Sequence, residues 1–110
     1  MSNIINDNNF KEEVLENSGV VVVDFFATWC APCKMLAPIV EELESELASV
    51  KFVKVDVDES PVVSTKYKIS NIPTIKIFKN GEVVETKVGF TPKEVLRRKS
   101  VGCFQWEQRP

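Results

Sequence analysis

The 110-residue chain contains no histidine, and its first 96 residues contain neither arginine nor glutamine. Losing histidine removes the commonest general base and metal ligand near neutral pH. Acid–base chemistry must therefore use carboxylates, lysines or thiols. A charge imbalance is missing too: 14 basic against 16 acidic side chains leave a net charge of −2. The basic residues are scattered, so no nucleic-acid or membrane surface is expected. The longest apolar run, Val20 to Ala27, is interrupted by Asp24 and is far too short to span a bilayer. Met1 to Asp7 hold no basic segment followed by an apolar stretch, so no signal peptide is read and a cytoplasmic chain is expected. Cysteine is scarce as well, and three are too few for a secreted disulfide scaffold.

What is present suits one domain with its own core, since 44% of the residues are hydrophobic. Asn6 and Asp7 offer helix caps ahead of Phe10, Val14 and Leu15, which share one helical face, and Ser18-Gly19 closes that helix. Val20 to Ala27 is apolar on both alternating faces, the pattern of a central strand covered on two sides. Leu36, Ile39, Val40, Leu43 and Leu47 repeat at helical spacing, with Pro38 inside and expected to kink the helix. Phe52 to Asp58 alternates as a second strand, and Ser60-Pro61 opens a short helix to Tyr67. Thr74–Lys79 and Glu82–Val88 flank Asn80-Gly81, a strong hairpin signal. Thr91-Pro92-Lys93-Glu94 reads as a capping box that starts a last helix. With a short strand near Ile4-Ile5, the order is β-α-β-α-β-α-β-β-α. That order predicts an α/β fold: a central mixed sheet, parallel in part with an antiparallel hairpin edge, and helices on both faces.

The chemistry sits in Trp29-Cys30-Ala31-Pro32-Cys33, between a buried strand and a helix. A Cys-x-x-Cys pair in a βαβ setting reads as a redox dithiol. With Cys30 at the helix cap and Cys33 in the first turn, both sulfurs lie at one end of the helix. Its partial positive charge and free amides stabilise a thiolate there. The thiolate is the nucleophile. Cys30, nearer the loop and expected to be the more exposed of the pair, is assigned the attack, and Cys33 the resolution of the mixed disulfide. Asp24 has no wet face between Val22 and Phe26, and a buried acid needs a reason. Lys54 reads equally well as a solvated lysine on a strand edge.

These residues resemble the thioredoxin family. Val23-Asp24-Phe25 followed by Trp29 to Lys34 matches the family's strand and dithiol loop, with Ala31 in place of the usual glycine and Phe26 where many members carry tryptophan. Ile72-Pro73-Thr74 is similar to its cis-proline loop, and Phe78-Lys79-Asn80-Gly81 and Val88-Gly89 also match, over roughly residues 3 to 96. The resemblance implies the thioredoxin fold and a protein-disulfide reductase that carries electrons by reversible dithiol–disulfide exchange. It implies a flat apolar docking surface of Trp29, Pro32, Ile72, Pro73, Gly89 and Phe90, with a substrate segment hydrogen-bonded in extended form near Ile72. It places a buried acid at Asp24 and a lysine at Lys54, so both join Cys30 and Cys33 as catalytic candidates. No cofactor and no metal are expected. The implied partners are a thioredoxin reductase and disulfide-containing proteins, with the chain acting as a monomer.

Three other readings stand beside this one: a structural disulfide or half of a zinc site, a binding module on the same fold, and an oxidant or isomerase. After Leu96 the next positions on the apolar face are Lys99 or Ser100, both polar, and Gly102 follows. The domain is therefore expected to span 1–102. Residues 103–110 are expected to be irregular, and the sudden arginine and glutamine content points to a different coding origin such as a frameshift, with natural divergence as the alternative. Cys103 is read as an incidental free thiol, with regulation through dimerisation as the minority reading.

Overall fold

The computed structural model describes residues 3–106, and side chains as far as residue 102. Five strands form one sheet in the order β1-β3-β2-β4-β5: β1 (Asn3–Ile5), β2 (Val20–Phe26), β3 (Val50–Asp56), β4 (Thr74–Lys79) and β5 (Glu82–Val88). β1 and β2 run parallel to β3, while β4 is antiparallel to both β2 and β5. This is the predicted mixed sheet. Every residue of β2 is buried, as its two apolar faces require.

Alternation splits β2 between two cores. Val20 and Val22 join Phe52, Ile75 and Ile77 beneath α1 (Ala31–Glu46) and α3 (Lys93–Trp106), which contribute Leu36, Val40, Leu43 and Leu96. Val21, Val23 and Phe25 point the other way, toward Phe10, Val14, Val53, Val55, Phe78 and Val63 of α2 (Pro61–Lys66). Helices thus cover both faces, and α1 continues as helix through Pro38. The β4–β5 turn places Asn80 and Gly81 at φ 54° and 78°. Glycine is needed at the second position, because a Cβ there would collide with the Leu15 carbonyl.

Four local readings are corrected. The first helix is one turn, Lys11–Leu15, in which the Glu16 N–H reaches five residues back to the Lys11 carbonyl at 2.9 Å. Asp7 does not cap that turn: its carboxylate accepts the N–H groups of Val62 and Val63 at 3.1 and 2.8 Å and so caps α2. β3 begins at Val50 and stops at Asp56, two residues earlier at each end than predicted. An Asp58 N–H to Asp56 Oδ1 bond of 2.9 Å turns the chain there.

The last correction concerns α3. It starts at Lys93, and the Thr91 hydroxyl donates to the Gly89 carbonyl instead of capping. It then runs to Trp106, so the backbone expected to be irregular from Cys103 is helical over its first four residues. Ser100 does not end the buried stripe. It is fully buried because its hydroxyl donates to the Leu96 carbonyl at 2.8 Å, and one internal glycine costs a helix only about 1 kcal/mol. Residues 107–110 and the Cys103 side chain lie outside the described residues.

Candidate active site

β2 delivers the chain to the dithiol loop, and α1 begins at once. Cys30 is the helix N-cap in an extended conformation (φ −88°, ψ 112°), and its sulfur takes the place of the usual capping oxygen. Cys30 Sγ accepts the Cys33 N–H at 3.2 Å. Pro32, in the first turn, removes a donor that would have had no helical partner. Cys30 and Cys33 are joined as a disulfide, with Cα atoms 5.2 Å apart. A single helical turn therefore holds both sulfurs where the helix dipole is positive.

Exposure does not distinguish the two cysteines in this oxidised state, at 4% for Cys30 and 3% for Cys33. Their surroundings do. Cys30 Sγ lies 3.8 Å from the Ile72 carbonyl oxygen, and the Ile72–Pro73 peptide is cis. Both cysteines pack with Phe26, Ala27, Val57 and Ile72. Around them Trp29 and Phe90 are exposed (68% and 43%) and Pro32 is exposed as well. Ile72 and Gly89 are half-buried, whereas Pro73 is buried and adds little surface of its own. The Pro73 carbonyl accepts the Gly89 N–H at 2.8 Å, tying the two loops together, and Gly89 sits at φ 88°, where only glycine is unstrained.

Two residues before Phe26 on β2 lies Asp24, 1% exposed, with neither carboxylate oxygen hydrogen-bonded among the described residues. Burial lifts its pKa from 3.8 to about 6, and the Lys54 charge opposes that rise. Lys54 pairs in register with Asp24 across β2 and β3. It is half-buried and rests its ammonium 4.5 Å from the centroid of the Phe26 ring. It is therefore not the freely solvated edge lysine of the alternative reading. Sequence reasoning missed Asp58, whose Oδ2 accepts the Trp29 indole N–H at 2.9 Å. No local pattern links two residues 29 positions apart.

A disulfide across the first turn of a helix, at the end of a buried strand and inside an apolar rim, defines a dithiol–disulfide oxidoreductase centre. Comparison with known proteins agrees. The thioredoxin family model matches residues 2–100. The thioredoxin of Bacillus subtilis is 52% identical over 92 residues, 83% of this chain and 86% of that protein. The thioredoxin of Rickettsia felis is 50% identical over 97 residues, 87% of this chain and 92% of that protein. Thioredoxin 1 of Synechococcus elongatus is 50% identical over 93 residues, 84% and 87% of the two chains. The chain belongs to the thioredoxin family and is a thiol–disulfide oxidoreductase whose redox pair is Cys30–Cys33. Among the described residues, no helix is long and apolar enough to cross a membrane.

Proposed function

We propose that this protein is a monomeric cytoplasmic reductant, formed by residues 1–102, that takes electrons from a thioredoxin reductase and passes them in pairs to protein disulfides. In the reduced protein the Cys30 thiolate attacks a substrate disulfide. The substrate S–S bond breaks, a Cys30–substrate bond forms, and the first substrate sulfur leaves as a thiolate. Cys33 then gives its proton to the Asp24 carboxylate and attacks Cys30 Sγ. The mixed disulfide breaks, the Cys30–Cys33 bond closes, and the second substrate thiolate departs. Two electrons have moved from the dithiol to the substrate disulfide. The one proton of the Cys30 thiolate and Cys33 thiol pair rests on Asp24, which returns it to a departing substrate thiolate, and water protonates the other.

The observation that carries this reading is the position of Cys30 Sγ, at the cap of α1 and 3.8 Å from the Ile72 carbonyl. Among the described residues the backbone N–H and C=O of Ile72 make no backbone hydrogen bond. An extended substrate segment can therefore pair there and lie across Trp29, Pro32, Gly89 and Phe90. Pro73 shapes the loop from below and contributes no exposed ring. Asp24, with a pKa of about 6, can exchange a proton near neutral pH, and Lys54 keeps that value from rising further. A reducing compartment suits a dithiol that must return to its reduced state.

The test is insulin reduction with a thioredoxin reductase and NADPH. Turnover that depends on both cysteines is expected. A chain that dithiothreitol reduces, yet that passes no electrons to insulin, would be a binding module on the same fold.

A further inference from the structure

Phe26 touches both halves of this centre. Its backbone continues β2 from Asp24 into the dithiol loop, and its ring packs with Ala27, Cys30 and Cys33. The same ring carries the Lys54 ammonium 4.5 Å from its centroid, within the range at which a cation is drawn to a ring face. Lys54 has a long stem with rotatable bonds, and among the described residues Asp24 forms no hydrogen bond that would anchor it. Pulling the ammonium fully into the sheet would strip it of water at high cost, while full exposure would carry it away from the carboxylate. The ring face offers the position between.

We propose that Phe26 is a positioning residue for Lys54: its ring holds the ammonium beside Asp24 and so sets how readily Asp24 exchanges a proton with the resolving thiol. The second half of that statement rests on the Asp24 role proposed above; the first half does not. Other charges near Asp24 do not do this work. Asp56, on the same face of β3, accepts the Asp58 N–H. Lys87 shares the face but lies two strands away, across Ile75. Glu85 on β5 pairs with Lys99 of α3. The charged groups of α1 and α3 over this face, Glu42, Glu46, Lys93 and Arg97, pair with one another at the surface. The inward side of α1 presents Cys33, Leu36, Val40 and Leu43.

The Asp24 side-chain carboxyl is titrated by carbon-13 NMR in wild type, Phe26→Leu and Phe26→Trp, each also in a Lys54→Met background. Phe26→Leu keeps an apolar side chain but loses the ring face. Its Asp24 midpoint should rise, lowering the ionised fraction at pH 6 by about twofold. Phe26→Trp should keep the wild-type midpoint. In the Lys54→Met background, Phe26→Leu should produce no further rise. An unchanged midpoint, a fall caused by water entering, or a rise that persists without Lys54 each overturns the proposal. Asp24→Asn separates the two claims: if its single-turnover resolution rate and pH profile match wild type, the proton role of Asp24 fails whatever the Phe26 series does.

Discussion

The two faces of β2 begin alike and end differently. On one face Val21, Val23 and Phe25 stay apolar to the end and meet an aromatic cluster, with Phe10–Tyr67, Phe10–Phe78 and Tyr67–Phe78 centroids at 5.7, 5.9 and 5.5 Å. On the other, Val20 and Val22 are equally buried, but Asp24 follows, and then Phe26 beside the dithiol. Both faces exclude water. Only one places an ionisable group there, and the same burial that stabilises apolar side chains on the first face lifts the Asp24 pKa on the second. One strand thus separates an all-apolar face from one that carries a buried acid by side-chain parity alone.

The sharpest break falls at the reactive end. Cys30→Ser should abolish insulin reduction entirely. Cys33→Ser should still attack but stall as a mixed disulfide on Cys30, visible by mass spectrometry of trapped substrates. Substrate bound through Cys33 would reverse the two roles. On the packing face, Phe25→Ala empties a fully buried site in the aromatic cluster and should cost about 3–5 kcal/mol in chemical denaturation. It should leave the Asp24 midpoint in place, since the two side chains lie on opposite sides of the sheet. A matching movement of that midpoint would show that the faces are not independent.

Much of this was legible from local pattern. The doubly apolar β2, the Asn80-Gly81 hairpin, the Cys-x-x-Cys loop and the α1 stripe are short-range signals, and the structure keeps all of them. Two of the misses share a cause, which is distance along the chain. Asp7 caps a helix 55 residues away, and Asp58 holds an indole 29 residues away. Ser100 looked like a polar break only because its partner, the Leu96 carbonyl, is a backbone atom that no residue pattern displays. Lys54 was ambiguous for a similar reason: the ring that receives it belongs to the neighbouring strand.

Asp24→Asn tests the reactive face by pH. Below pH 3.8 the folded and unfolded chains both hold the Asp24 proton, and its ionisation costs nothing. Between 3.8 and about 6 the unfolded chain releases the proton first, so the folded state loses stability as pH rises. Above about 6 the full penalty applies, about 3 kcal/mol for the two values together. The asparagine variant should therefore be more stable than wild type by up to that amount at pH 7.5, by almost nothing near pH 3.5, and slower in resolution. An equal gain at both pH values would show that the effect is packing and not ionisation.

The smallest effect concerns another buried polar group, on a helix over that same face. Ser100 on α3 is as buried as Asp24, but its hydroxyl is satisfied by the Leu96 carbonyl within its own helix. That carbonyl lies within α3, where the helix ladder already supplies an N–H, so the hydroxyl bond is additional. Alanine removes one oxygen, leaves no unpaired donor, and has the higher helix propensity by about 0.5 kcal/mol. Ser100→Ala should therefore be neutral or stabilising by about that amount, with no change between pH 3.5 and 7.5 and no effect on resolution rate. A loss above about 1 kcal/mol in denaturation would mean that the hydroxyl is needed where it is. Burial alone would then not separate Ser100 from Asp24. If the variant is neutral, burying a polar side chain carries no pH-dependent cost by itself, and the cost at Asp24 comes from burying an ionisable carboxyl without a hydrogen-bond partner among the described residues.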